Sequence, residues 1–164
     1  MRKGLLFVLV VVALSSCLKL ESYPDRPDVT YIDHAIVPYA TNLSDSLGYV
    51  RFEFTDGDGD LGLNQGDTFG DFAPDQQYYY NLFIRYFQKQ NGSFEEIIPP
   101  GSPNVRFKNL TPTGADKTLQ GEMAVGVYNS GVQANDTIRF EMYIVDRALN
   151  HSDTLVTPEI VIPN

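Results

Sequence analysis

The chain has 164 residues and carries 21 acidic against 12 basic side chains, which gives a formal net charge of −9. This length corresponds to about one domain, and a hydrophobic share of 43% allows a packed core, which excludes wholesale disorder. The single cysteine excludes an intramolecular disulfide framework and a Cys-rich zinc module. An acidic balance without a basic run argues against nucleic-acid binding.

The N-terminus predicts a signal peptide that ends at the only cysteine. Arg2 and Lys3 precede an unbroken apolar run over 5–14, which is shorter than the roughly 20 residues of a transmembrane helix but matches a secretory core. The next residues, Leu14-Ser15-Ser16-Cys17, resemble the lipobox of bacterial lipoproteins, in which the cysteine thiolate accepts the lipid. The alternative is an ordinary secretory signal that leaves a free thiol.

We therefore expect three segments: a lipoprotein signal peptide over 1–16, a lipidated Cys17 with a tether over 17–28, and a folded domain over 29–164. Each buried methylene of an acyl chain contributes about 0.8 kcal/mol, so two or three chains hold a domain firmly at a membrane. Pro24 and Pro27 favour an extended tether. Because anionic headgroups repel an acidic domain, the lipid has to supply the anchoring.

The remainder of the chain predicts β-strands and no helix. Short alternating runs of β-branched and aromatic residues are interrupted by Gly, Pro, Asn and Asp. Val50, Phe52 and Phe54 alternate onto one strand face, the run over 137–145 does the same, and Asn91-Gly92 indicates a tight hairpin. We expect strands over 30–37, 48–55, 78–88, 93–98, 105–110, 118–127, 137–145 and 154–162.

Strands without helical crossovers favour antiparallel pairing. The predicted fold is therefore an all-β, antiparallel immunoglobulin-like or fibronectin-like sandwich of about seven to nine strands. The segment over 56–77 has little strand character. A loop of that length in a compact domain is usually functional or tied down by a metal.

That loop begins with three aspartates separated by glycines, Asp56, Asp58 and Asp60. Glycine allows the chain to curl so that alternate carboxylates converge, and a hard cation such as Ca²⁺, with about six to eight oxygen ligands, would relieve their repulsion. With Asp56 counted as position 1, the loop resembles an EF-hand loop. Asp67 then falls at position 12, and Leu61 stands at position 6, where the EF-hand has glycine. A solvated turn without an ion and a catalytic carboxylate cluster are the alternatives.

A second polar turn precedes the last predicted strand. Asp146-Arg-Ala-Leu149-Asn150-His-Ser152 resembles the Asp-x-x-Gly-Asn-x-Ser turn of bacterial immunoglobulin-like domains, in which the Asp and Asn side chains bond the turn backbone. In that topology the loop after the second strand and the loop before the last strand lie at the same end of the sandwich. We therefore hypothesise that Asp146 joins the metal site.

The aromatic run Tyr78-Tyr79-Tyr80 suggests a further ligand class. In a strand, Tyr78 and Tyr80 would share one face and could form a platform that stacks a glycan. The alternative is an ordinary strand in which the tyrosines lie half in the core and half on the surface.

Together, the lipobox at Cys17, the Phe52-x-Phe54-x-Asp56-Gly-Asp-Gly-Asp60 run and the Phe140-x-x-x-x-Val145-Asp-Arg147 run resemble small cell-envelope lipoproteins of Bacteroidota. The resemblance implies an envelope location and an immunoglobulin-like sandwich, but it does not imply an activity. We expect an outer-membrane lipid anchor, on the periplasmic or the surface face. We expect a non-enzymatic binding or accessory module, ordered by calcium, with an envelope protein partner. A glycan-binding lipoprotein of carbohydrate uptake and an Asp-cluster hydrolase are the alternatives.

Overall fold

The computed structural model describes residues 22–37 and 46–164, so the predicted signal peptide, Cys17 and the first part of the predicted tether lie outside the described residues. Within these ranges no helix is long and apolar enough to span a bilayer. The strands are β1 (Asp28–Ile36), β2 (Ser46–Asp56), β3 (Leu82–Gln90), β4 (Ser93–Ile97), β5 (Leu119–Tyr128), β6 (Thr137–Ile144), β7 (Leu155–Val156) and β8 (Ile160–Val161), and two short 3-10 helices cover Gly70–Phe72 and Gln77–Tyr79.

The strands form two antiparallel sheets. The first sheet has the order β1-β2-β5, and the second has the order β4-β3-β6-β7, with β8 also paired to β6. The two sheets pack face to face around one hydrophobic core. This arrangement confirms the predicted all-β antiparallel sandwich and its number of strands.

The core follows from strand alternation, as predicted. In β6 every second residue is buried, and the inward row of β2 faces it across the sandwich. Burying a side chain of this size contributes roughly 1.5–3 kcal/mol, and a slip of one residue would turn the whole row toward solvent. The inward residues of the two strands include Val50, Phe52, Phe54, Ile138, Phe140, Met142 and Ile144.

The strand predicted over 78–88 begins later, at Leu82. The residue before it, Asn81, uses its side-chain amide to pair with the backbone of Phe107. The Asn81 amide accepts a hydrogen bond from the Phe107 N–H at 2.8 Å and donates one to the Phe107 carbonyl at 3.0 Å. This contact holds the buried Asn81 against a distant segment instead of a neighbouring strand. Tyr78 and Tyr79 lie in the 3-10 helix Gln77–Tyr79, and Tyr80 is the residue that follows its end.

The strand predicted over 105–110 is an irregular segment. Its apolar residues Val105, Phe107 and Leu110 pack against the core, which explains the strand-like pattern. Its backbone, however, makes isolated bridges, Leu82 with Val105 and Leu63 with Lys108. Because these bonds are divided between two partners, no continuous ladder forms.

We predict that Asn81→Ala lowers the free energy of unfolding by about 1–3 kcal/mol, because it leaves the partly buried Phe107 N–H without a partner, while the Phe107 carbonyl keeps only the Leu63 N–H at 3.1 Å. Denaturant unfolding measures this loss. Gln133→Ala removes an exposed amide and is the control, with an expected change below about 0.5 kcal/mol. Equal losses in the two variants would contradict the role of the Phe107 pairing.

Candidate metal centre

The acidic loop begins where β2 leaves the first sheet. Asp56 occupies the next inward position after Phe52 and Phe54, and its side chain is fully buried. Asp58 is exposed and Asp60 is half-buried. One carboxylate oxygen from each aspartate lies within 4.8 Å of the other two. The structure therefore brings three of the predicted residues together, in a group that could hold a metal ion.

Glycines are required in this loop for two reasons. Gly59 has a φ of +66° and Gly62 a φ of +85°, in the left-handed region that glycine adopts without steric cost. A Cβ atom at Gly59 would lie 1.8 Å from the Lys117 carbonyl oxygen, and one at Gly62 would lie 2.1 Å from that of Lys108. The loop is thus curled and also pressed against two other backbone segments.

The hydrogen-bonding capacity of the buried Asp56 carboxylate is only partly satisfied. Its Oδ2 accepts a hydrogen bond from the Asp60 N–H at 2.9 Å, but among the described residues its buried Oδ1 has no hydrogen-bond partner, and neither has the buried Oδ1 of Asp60. A buried polar atom left without a partner costs roughly 1–3 kcal/mol, and more when the group is charged. A cation bound between the carboxylates would supply the partner that both oxygens lack.

A fourth aspartate, Asp146, lies on the second sheet near the acidic loop, outside the group of three convergent carboxylates. It follows β6, is buried, and accepts hydrogen bonds from the backbone N–H of Asn150 at 2.7 Å and from its Nδ2 at 2.8 Å, as the turn pattern predicted. The Arg147 N–H is 3.4 Å from the Asp60 carbonyl oxygen. Burial is the largest cause of the raised pKa of Asp56 and of Asp60, and the charge of Asp146 raises both further. The contact between Arg147 and Asp60 places this turn beside the acidic loop.

Leu149 keeps the geometry of this turn although the pattern has glycine at its position. It adopts a left-handed φ of +66°, which costs roughly 1–2 kcal/mol for a residue with a Cβ atom. The Leu149 N–H is 3.3 Å from the Asp146 carbonyl oxygen. The turn that carries Asp146 therefore keeps its conformation although Leu149 disfavours a left-handed φ.

Burial and mutual repulsion disfavour the charged forms of these carboxylates. Burial is the largest cause that raises the pKa of Asp56 to about 7, followed by the charges of Asp58 and Asp60. Burial likewise raises the pKa of Asp60 and of Asp146. None of the ion pairs within residues 22–37 and 46–164 involves any of the four aspartates. Within these residues no cationic side chain neutralises them, so either protons or a bound cation would have to do so.

The structure places Asp67 outside this group. Its Oδ2 accepts hydrogen bonds from the Asn64 N–H at 2.7 Å and from Asn64 Nδ2 at 3.1 Å. Leu61 and Leu63 are buried in the interior, and they direct the chain away from Asp56 before it reaches Asp67. The loop therefore does not close around one point in the way that an EF-hand loop does.

Tyr78 and Tyr80 do not share a strand face. The Tyr78 ring packs edge-on against Phe83 and His151, with centroids 6.5 and 5.7 Å apart. The Tyr80 ring packs edge-on against Tyr79 at 5.1 Å. The two predicted glycan-binding residues therefore belong to separate aromatic contacts.

Sequence reasoning missed the segment over 23–27, which it treated as part of a free tether. The Gly57 N–H donates to the Pro24 carbonyl at 2.8 Å, Arg26 Nε donates to the His151 carbonyl at 2.6 Å, and Arg26 also pairs with Asp153. Pro27 is buried. The segment thus joins the loop that carries Asp56 to the turn that carries Asp146, through one backbone bond and the Arg26 side chain, which no sequence pattern indicates.

No protein-family model matches the chain, and comparisons with curated proteins and with solved structures find no match either. The residues of the site themselves are therefore what bears on function.

We predict that Gly59→Ala lowers the free energy of unfolding by about 2–4 kcal/mol, because the new methyl group meets the Lys117 carbonyl in addition to the left-handed strain. Gly70→Ala is the matched control, since Gly70 has a φ of +58° and open space at its Cβ position. That variant should lose only about 1 kcal/mol. Denaturant unfolding of both variants separates strain from steric contact, and similar losses would contradict the close approach.

Proposed function

We propose that this chain is a calcium-binding, lipid-anchored β-sandwich of the cell envelope, which acts as a non-enzymatic binding module. The observation that supports the proposal most is the fully buried Asp56 at the point where three carboxylates converge. Its Oδ1 has no hydrogen-bond partner in the part of the chain that the structure describes. An uncompensated carboxylate is costly in the interior, and a divalent cation provides the compensation.

The donor chemistry favours calcium among the common divalent ions. Within the described parts of the chain, the convergent group consists of carboxylates without His or Cys, whereas zinc prefers nitrogen and sulfur ligands. Ca²⁺ accepts about six to eight oxygens in flexible geometry, while Mg²⁺ demands a near-ideal octahedron. Three convergent aspartates with Asp146 beside them supply several oxygens without such symmetry.

The proposed role of the ion is structural. Asp56 ends β2 of the first sheet, and Asp146 follows β6 of the second sheet, so an ion between them would bind both layers of the sandwich. Both side chains are buried, which makes them poorly accessible to a substrate. We therefore propose a stabilising metal site and not the carboxylate pair of a hydrolase.

The proposed lipid anchor rests on Cys17 in its lipobox-like setting. Because the segment over 23–27 is bonded to the domain, five residues, 18–22, separate Cys17 from it. They span at most about 18 Å, which would keep the domain close to the bilayer and present it to envelope protein partners. Since Tyr78 and Tyr80 offer no shared platform, we do not extend the proposal to glycans.

We predict that saturating calcium, at about 100 times its dissociation constant, raises the free energy of unfolding of the full chain by roughly 2.7 kcal/mol relative to chelator. Asp58→Asn changes an exposed member of the cluster and should weaken calcium binding at least tenfold in calorimetry, and Asp146→Ala should weaken it as well. Asp67→Asn is the matched control and should leave binding unchanged. The absence of any shift at millimolar calcium would contradict the metal site.

We also predict that Cys17→Ser moves the protein from the membrane to the soluble fraction, because it removes the acyl acceptor. Membrane fractionation with an alkaline wash measures the distribution, and mass spectrometry of the unchanged chain should detect the acylated cysteine. Ser16→Ala, which keeps a small residue before the cysteine, is the control and should remain in the membrane. A membrane-bound Cys17→Ser protein would argue against a lipid anchor at this position.

A further inference from the structure

Strand edges expose N–H and C=O groups that can pair with another chain, and proteins usually protect them by short length, charge, proline or bulges. In the second sheet, β4 has five residues and includes two glutamates, and β7 and β8 have two residues each. In the first sheet, β1 has a register irregularity between Tyr31 and Asp33. These edges therefore carry recognised protections.

The edge of β5 carries none of them. This strand has ten residues, pairs with β2 along its whole length, and has no other strand partner among the described residues. It contains no lysine, arginine or proline, and its one charged residue, Glu122, lies 3.3 Å from Arg51 of the same sheet. At the end of the strand, the Tyr128 N–H donates a hydrogen bond to the Tyr86 hydroxyl at 3.2 Å. From Leu119 to Val127, the outer edge of β5 is thus long and low in uncompensated charge.

We propose that β5 is a self-association edge, on which a second copy of this chain pairs its own β5 antiparallel about a twofold axis through Ala124. The two three-stranded sheets would then form one continuous sheet. This inference goes beyond the calcium site and does not depend on it.

The side chains of β5 are complementary to those of a second, antiparallel copy of β5. An antiparallel register centred on Ala124 places Gln120 opposite Tyr128 and Glu122 opposite Gly126 on the outer face. On the inner face it places Met123 opposite Val125. A bulky side chain thus faces a small one beside the axis, no like charges are opposed, and inward residues stay on the core side, as cross-strand pairing requires.

The register is also compatible with the proposed lipid anchors. Tyr23 donates a hydrogen bond to Gln120, and Gln120 donates one to Glu53, so the N-terminal segment lies on the outer face of the first sheet. A twofold axis perpendicular to the sheet keeps that face on the same side in both copies. Two anchors would therefore meet one membrane, a match that favours a second copy over an unrelated peptide as the occupant of the edge.

The first test is the oligomeric state of the full chain in mild detergent, with Cys17→Ser in every version. Sedimentation over about 1–200 µM covers the range in which weak interfaces dissociate, and a concentration-dependent dimer is expected. Ala124→Glu opposes two carboxylates at the axis and should raise the dimer dissociation constant at least tenfold. Ala35→Glu, an exposed position on β1 of the same sheet, is the matched control and should leave it unchanged.

Thiol cross-linking tests the register with a smaller change. Ala124→Cys should form a disulfide-linked dimer on mild oxidation, because residues opposite each other across an antiparallel pair lie about 4.5–5.5 Å apart, within disulfide range. Ala35→Cys should not. A monomer at every concentration, a dimer insensitive to Ala124→Glu, equal cross-linking of both cysteine variants, or cross-linking of Ala124→Cys to a different protein would each overturn the proposal.

Discussion

The burial of Asp56 is the constraint on which one end of this sandwich depends. The alternation that directs Phe52 and Phe54 into the core continues for one more step and directs a carboxylate inward as well. An ionised carboxylate in the interior is costly unless it is paired, and here its neighbours are other carboxylates that raise its pKa further. The strand pattern that stabilises the core therefore also brings together a group of carboxylates that could hold a cation.

The surrounding chain is arranged around that site. The acidic loop leaves the first sheet, the turn carrying Asp146 leaves the second, and the segment over 23–27 bonds to both. A cation held there would strengthen contacts between parts of the chain that are distant in sequence, in the way that metal binding contributes to folding free energy. The proposed interface along β5 adjoins the same end of the sheet, since Leu119 at the start of β5 pairs with Asp56.

Local pattern was enough for much of the fold. Alternation identified the inward rows of β2 and β6, because the side-chain period of a strand is two and a buried face tolerates no slip. Asn91-Gly92 identified the β3–β4 hairpin, where both residues adopt positive φ. The alternating aspartates and glycines of the loop, Asp56 to Asp60, indicated convergent carboxylates, since the curl depends on conformations local to those residues.

Tertiary contacts decided the rest. The Asn81 side chain pairs with the Phe107 backbone just after the 3-10 helix that contains Tyr78 and Tyr79. The buried Leu61 directs the chain away from Asp56 before it reaches Asp67. The segment over 23–27 accepts a hydrogen bond from the Gly57 N–H. No sequence periodicity or motif predicts these contacts, because each depends on which distant backbone groups need a partner once the sheets have packed. By itself the sequence determined which faces are buried and where carboxylates gather, since these follow from local periodicity. Only the tertiary structure decided which segments meet at the site, because that depends on packing between residues far apart in the chain.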